Sequence, residues 1–152
     1  MLPRRKEEVK NIAELIKDDM ETVFIPKKSI GKFAIGDRID KFLEGNYDYY
    51  PKNENYSYDL YSFYDPTIDV YTDDKGLVDS VRCSNICTWK GQNLIGMAFS
   101  EFIALSELEP DSSEKIYLIV DDKGQNQTVY EFNKLRLQVW TWRNKIVTVI
   151  LY

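Results

Sequence analysis

The sequence predicts a single α+β domain, an antiparallel meander sheet with two or three helices packed on one face. Three observations predict it. The chain has 152 residues, the size of one domain with one core. Apolar residues recur at helical spacing near the N-terminus and after residues 37 and 93, and alternate with polar ones elsewhere. Asp, Asn and Gly separate the alternating runs at hairpin distances. Hydrophobic residues make up 43% and charged residues 30%, a globular composition. No apolar run approaches the ~18 residues of a membrane span.

Residues 5–20 form the first expected helix, within an N-terminal segment 1–22, because Val9, Ile12, Ala13, Ile16 and Met20 fall on one face. A second helix is expected after Asp37, a residue able to cap it, with Ile39, Phe42 and Leu43 inward and Gly45 ending it. Residues 46–55 read as a polar loop. Strands follow at 56–64, 67–72 and 77–88, the last two joined across Asp73-Asp74-Lys75-Gly76. Alternation sets Ile68 and Val70 on one face, with Asp69, Tyr71, Ser80 and Arg82 on the other. Aromatics occupy both faces of 56–64, so its orientation stays open.

Residues 93–105 predict a third helix, starting as late as Met97. Strands at 115–120 and 127–133 then flank a second Asp-Asp-Lys-Gly, at 121–124. The chain closes on a hairpin, 136–142 and 146–152, with Trp140 and Trp142 opposite Leu137 and Val139. Both faces are apolar, which predicts burial within the sheet. Gly36-x-x-Ile39-x-x-Phe42-Leu43 resembles Gly96-x-x-Phe99-x-x-Phe102-Ile103, and Asp-Asp-Lys-Gly recurs. These suggest a degenerate internal duplication with half-repeats 29–88 and 93–152.

Charge is unevenly placed. Residues 44–79 hold 9 Asp+Glu against 2 Lys+Arg, a local −7 in a chain of net −5. The same segment holds 8 of the 11 tyrosines. Such a surface repels nucleic acid and attracts a basic protein, with tyrosine supplying contact area at low entropic cost. The alternative is a solvated sheet edge, since Tyr also favours strands and Asp favours turns. The interface reading names Tyr56, Tyr58, Asp59, Tyr61, Tyr64, Asp65, Asp69, Tyr71, Asp73 and Asp74 as partner-binding residues.

Catalysis is not expected. There is no histidine, which removes Ser-His, Cys-His and His-metal chemistry. No phosphate-binding Gly motif, EF-hand pattern or cysteine cluster is present, so neither cofactor nor metal is expected. Cys83 and Cys87, four residues apart in an expected strand, would lie ~13 Å apart and stay unbridged as buried small hydrophobes. The first residues, Met1 to Lys6 followed by Glu7 and Glu8, lack the apolar core of a secretory signal. The expected compartment is the cytoplasm.

An acidic, histidine-free α+β chain of this size resembles the immunity proteins of bacterial toxin systems, including those of contact-dependent growth inhibition. The segments that carry the likeness are Ser29-Ile-Gly-Lys-Phe-Ala-Ile-Gly-Asp37, Asn93-Leu-Ile-Gly-Met97 and Leu137-Gln-Val-Trp-Thr-Trp142. The resemblance implies a non-catalytic protein that binds one cognate toxin domain, often a nuclease, and blocks its active site, without direct nucleic-acid or membrane binding. The duplicated helix-plus-sheet pattern is also similar to the secreted β-lactamase inhibitor proteins. The rival reading is a small-ligand-binding or adaptor domain with Trp89, Trp140 and Trp142 lining a pocket.

Overall fold

A computed structural model describes residues 23–64 and 66–152. The expected helix at 5–20 and the candidate Asp65 lie outside the described residues. The dominant element is an eight-stranded antiparallel sheet. Four strands, β4 (Tyr47–Tyr50), β5 (Asp59–Phe63), β6 (Ile68–Thr72) and β7 (Val78–Cys83), form one meander. Four more, β10 (Ser112–Val120), β11 (Lys123–Phe132), β12 (Leu137–Trp142) and β13 (Lys145–Leu151), form a second. The two join through their last strands, in the order β10-β11-β12-β13-β7-β6-β5-β4. At the seam Val149 pairs with Cys83, Ile150 with Arg82 and Leu151 with Val81.

One face of this sheet is covered. Short strands β1 (Phe24–Ile25), β2 (Ser29–Ile30) and β3 (Phe33–Ala34), a 3₁₀ turn at Ile39–Phe42, the hairpin β8 (Thr88–Trp89) and β9 (Gln92–Asn93), and helix α1 (Phe99–Ser106) supply the cover. Aromatic contacts tie the layers together. Phe33 meets Phe63 at 4.7 Å between ring centroids, Phe99 stacks on Tyr130 at 3.9 Å, and Phe102 meets Phe132 edge-on at 5.1 Å. Trp89 bridges Phe24 and Phe102 within this layer. These rings close over Val70, Val81, Leu137, Val139, Val149 and Leu151, all fully buried, so hydrophobic burial fixes which face turns inward.

The expectation of an α+β domain with two or three helices is corrected. The described residues are predominantly β, with α1 their one α-helix. After Asp37 the chain makes only the 3₁₀ turn. Its N-cap is Arg38, which has extended backbone and no side-chain cap bond. Asp37 instead accepts a hydrogen bond from the Lys41 ammonium at 3.2 Å. Nucleating a helix is costly, and only one turn fits before Gly45 takes a φ of 137° and edge strand β4 begins at Tyr47. The expected loop at 46–55 begins as edge strand β4. Likewise α1 starts only at Phe99, because Asn93 is held in β9, its side-chain oxygen accepting the Cys87 and Ile95 N–H groups.

Turns differ in an instructive way. Asp73 accepts from the Lys75 and Leu77 N–H groups, and Gly76 takes the positive φ of 74°. In the second Asp-Asp-Lys-Gly, Asp121 and Asp122 themselves hold positive φ as a two-residue turn, and Lys123 and Gly124 already belong to β11. The repeated tetrapeptide therefore marks different turn positions. The other recurrence sits in matched surroundings. Gly36 and Gly96 have φ of 87° and 88° and donate to the Val78 and Ile146 carbonyls. Three residues on, Ile39 and Phe99 donate to the Gly76 and Asn144 carbonyls.

The strand expected over 77–88 ends at Cys83, and a turn brings Cys87 back beside it. The ~13 Å separation inferred from strand spacing is therefore corrected. Both thiols are free and fully buried, and the Cys83 thiol donates to the Ile86 carbonyl. The Cys83 sulfur and burial together push the Cys87 thiol far up from its ordinary value. In the native protein both thiols should react with a thiol reagent only as fast as the chain unfolds. A native-state assay against a denatured control tests this, and a promptly reacting thiol would show that the 83–87 turn opens locally.

Candidate functional site

Among the described residues no element packs on the second face of the large sheet. Strand alternation places Leu60 and Ser62 of β5, Asp69 and Tyr71 of β6, and Ser80 and Arg82 of β7 there. Thr148 and Ile150 of β13, Gln138 and Trp140 of β12, and Val129 and Glu131 of β11 continue the face across the seam. At its centre Asp69, only 9% exposed, faces Ser62 on one neighbouring strand and Arg82 on the other. The Ser62 hydroxyl and the Arg82 guanidinium both donate to its carboxylate, with Arg82 Nε at 2.9 Å. The guanidinium also lies 5.8 Å from the centroid of the Tyr71 ring. On the other half, Glu131 accepts from the Gln138 amide at 2.8 Å and the Tyr152 hydroxyl at 3.1 Å.

Beside the Asp69–Arg82 pair the 51–58 loop walls off a cavity of about 430 Å³ lined by Tyr50, Tyr56, Tyr58, Leu60, Tyr71 and Arg82, among others. The loop is held by local polar contacts. Asp59 accepts from the Lys52 N–H at 2.8 Å and the Tyr49 hydroxyl at 3.2 Å. The Asn53 side chain accepts from the Asn55 and Tyr56 N–H groups, a local turn typical of Asn. Lys52 also pairs with Asp74. Tyr50, Tyr56 and Tyr58 stay exposed at the rim, and Tyr71 is half-buried. Burial raises the Tyr71 hydroxyl pKa above its ordinary value. Arg82 opposes that rise, whereas Asp69 adds to it.

The sequence-derived site residues therefore separate. Tyr56, Tyr58 and Tyr71 meet in the cavity. Asp59 and Asp74 hold its loop, Asp69 is committed to Arg82 and Ser62, and Asp73 shapes its turn. Tyr61 lies on the opposite, covered side, against Tyr47 and Tyr49. Tyr64 is exposed, its hydroxyl donating to Asp48. Residues missed by the acidic-segment argument are Tyr50, Leu60, Trp140 and Glu131. Period-two alternation through 58, 60 and 69, 71 was the signal for Leu60, but aromatics on both faces of 56–64 masked it.

The three tryptophans of the expected pocket do not come together: Trp142 lines a separate cavity of about 540 Å³ with Arg143, Lys145 and Ile146. Trp89 is buried in the covering layer, whereas Trp140 alternates with the buried Leu137, Val139 and Thr141 and stays half-buried on the uncovered face. Among the described residues no group of three His, Cys, Asp or Glu side chains could hold a metal ion. No helix among them is long and apolar enough to cross a membrane. No family model, curated protein or solved structure matches the chain.

Two measurements test this geometry. Asp69→Ala leaves the Arg82 guanidinium and the Ser62 hydroxyl without their acceptor, and should cost about 1 kcal/mol in denaturant unfolding, since Arg82 is partly exposed. A neutral result would mean the pair is solvated. The second concerns alkaline pH. Tyr71 keeps its proton more firmly folded than unfolded, so its contribution is complete below the unfolded value of 10.0 and is lost as pH rises through the folded value. Stability should therefore fall as pH rises above 10.0 and level off once the folded value is passed, and Tyr71→Phe should flatten the fall. An unchanged slope would assign it to other tyrosines.

Proposed function

We propose that this chain is a non-catalytic protein-binding domain that docks a basic partner on the uncovered face of its sheet, with the tyrosine cavity as the principal contact. The observation that carries the reading is the cavity itself. Tyr50, Tyr56, Tyr58 and Tyr71 gather at one opening beside an internally neutralised Asp69–Arg82 pair. Aromatic anchors around a desolvated centre are the composition of binding hot spots. Asp48 and Glu131 add negative charge to the same face by strand alternation, and Glu54 adds it near the cavity rim.

In the narrower form of this reading the chain is an immunity-type inhibitor acting in the cytoplasm. Its partner is a toxin domain whose Lys and Arg side chains, otherwise free to hold a phosphate backbone, are covered. Asp69 and Asp73 are already engaged within the fold, so the partner's cations would meet rim carboxylates instead. The volume of the cavity, about 430 Å³, supports a second reading, since it falls within the range of small-molecule sites.

Isolation from native cells separates the two. A stable equimolar complex with the product of the adjacent gene supports the inhibitor, and a retained small molecule supports the second reading. With that partner in hand, Tyr58→Ala should speed dissociation by about tenfold or more, with little change in melting temperature. Asp48→Asn with Glu54→Gln should slow association and flatten its salt dependence. Unchanged kinetics in both variants would move the docking site away from this face.

A further inference from the structure

The two edges of the large sheet are not alike. Edge strand β4 is four residues long, carries Asp48 and stops at Pro51, all features that discourage strand addition. Edge strand β10 has nine residues and ends on Ile116-Tyr-Leu-Ile-Val120, without a charge or proline. Tyr117 and Ile119 are 66% and 65% exposed. The β10–β11 hairpin also outruns the sheet, because β11 pairs with β12 only from Thr128 to Phe132. Among the described residues, 116–120 thus project as an arm whose outer backbone edge pairs with no strand.

The turn tells which groups are open. Asp121 and Asp122 form a two-residue turn closed by Val120 and Lys123, so those closing residues exchange hydrogen bonds and alternate residues behind them do the same. The N–H and C=O groups of Ile119, Tyr117 and Lys115 accordingly point away from β11. An apolar strand with unpaired groups of this kind is a template for another strand.

We propose that the occupant of this edge is β10 of a second copy of the chain, paired antiparallel about a two-fold axis at Leu118. In this register Tyr117 faces Ile119 of the copy and exchanges backbone hydrogen bonds with it, for about four such bonds across the junction. Ile116 faces Val120 of the copy, and Leu118 meets its equivalent in a close, non-hydrogen-bonded pair. Charge complements the register, since Lys115 falls opposite Asp121 of the copy. The pairing closes at two because, among the described residues, the large sheet has one long apolar edge, its other edge being short, charged and ended by Pro51. It leaves the tyrosine cavity open at the far edge of each sheet, so it stands apart from the partner-binding reading.

Sedimentation equilibrium over a wide concentration range tests the proposal. The full chain should reach twice its 17.9 kDa. Ile119→Lys, at an exposed position, should return it to the monomer mass with an unchanged melting temperature. Leu118→Cys should form an intermolecular disulfide under mild oxidation, while the buried Cys83 and Cys87 do not. A chain that stays monomeric at every concentration overturns the proposal. So does a dimer that survives Ile119→Lys and gives no Leu118→Cys cross-link.

Discussion

The pairing of β7 with β13 is the contact on which the rest of the molecule depends. Each meander is local, its strands following one another through short turns, and either alone would present two open edges. Joining the last strand of each turns them into one sheet whose central positions, Val81, Cys83, Val149 and Leu151, are completely excluded from water. Chain segments almost 70 residues apart meet there, so the seam carries the largest loop-closure cost in the sheet. Burial of apolar side chains at its centre offsets that cost.

From the seam follows the division of the two faces. On one side the rings of Phe24, Phe33, Trp89, Phe99 and Phe102 close a continuous aromatic layer against the strands. On the other side, among the described residues, polar groups are satisfied laterally, by neighbouring side chains. Asp69 with Arg82 and Ser62, and Glu131 with Gln138 and Tyr152, are such lateral sets. A face whose polar atoms already have partners can hold aromatic side chains half-exposed without collapsing onto them. The tyrosine cavity is one outcome, walled by a loop whose shape Asn53 and Asp59 fix.

Much of the β structure was legible because its signals are local. The hairpins at 73–76 and 143–144, the alternation of Ile68 and Val70 against Asp69 and Tyr71, and the neighbouring Arg82 all follow from period two and turn chemistry. The helical expectation after residue 37 failed because Ile39, Phe42 and Leu43 fit a helix face equally well as a single turn. What stops that segment is the entry into β4 at Tyr47, whose pairing with Phe63 no window around residue 39 contains. Site residues failed for the same kind of reason. Composition located the tyrosine-rich stretch, but Tyr61 and Tyr71 fall on opposite faces and Asp69 is spent on an ion pair.

By itself the sequence determined the strand-and-turn grammar, the absence of histidine chemistry and the concentration of Tyr and Asp in one stretch, since these are properties of neighbours along the chain. Only the tertiary structure decided that two meanders share a seam, that Cys83 and Cys87 lie together, which tyrosines share a cavity, and that β10 is the last strand of the sheet among the described residues. Those outcomes turn on pairings between distant segments. Their energy comes from burial and hydrogen bonds that exist only once the partner strand is in place.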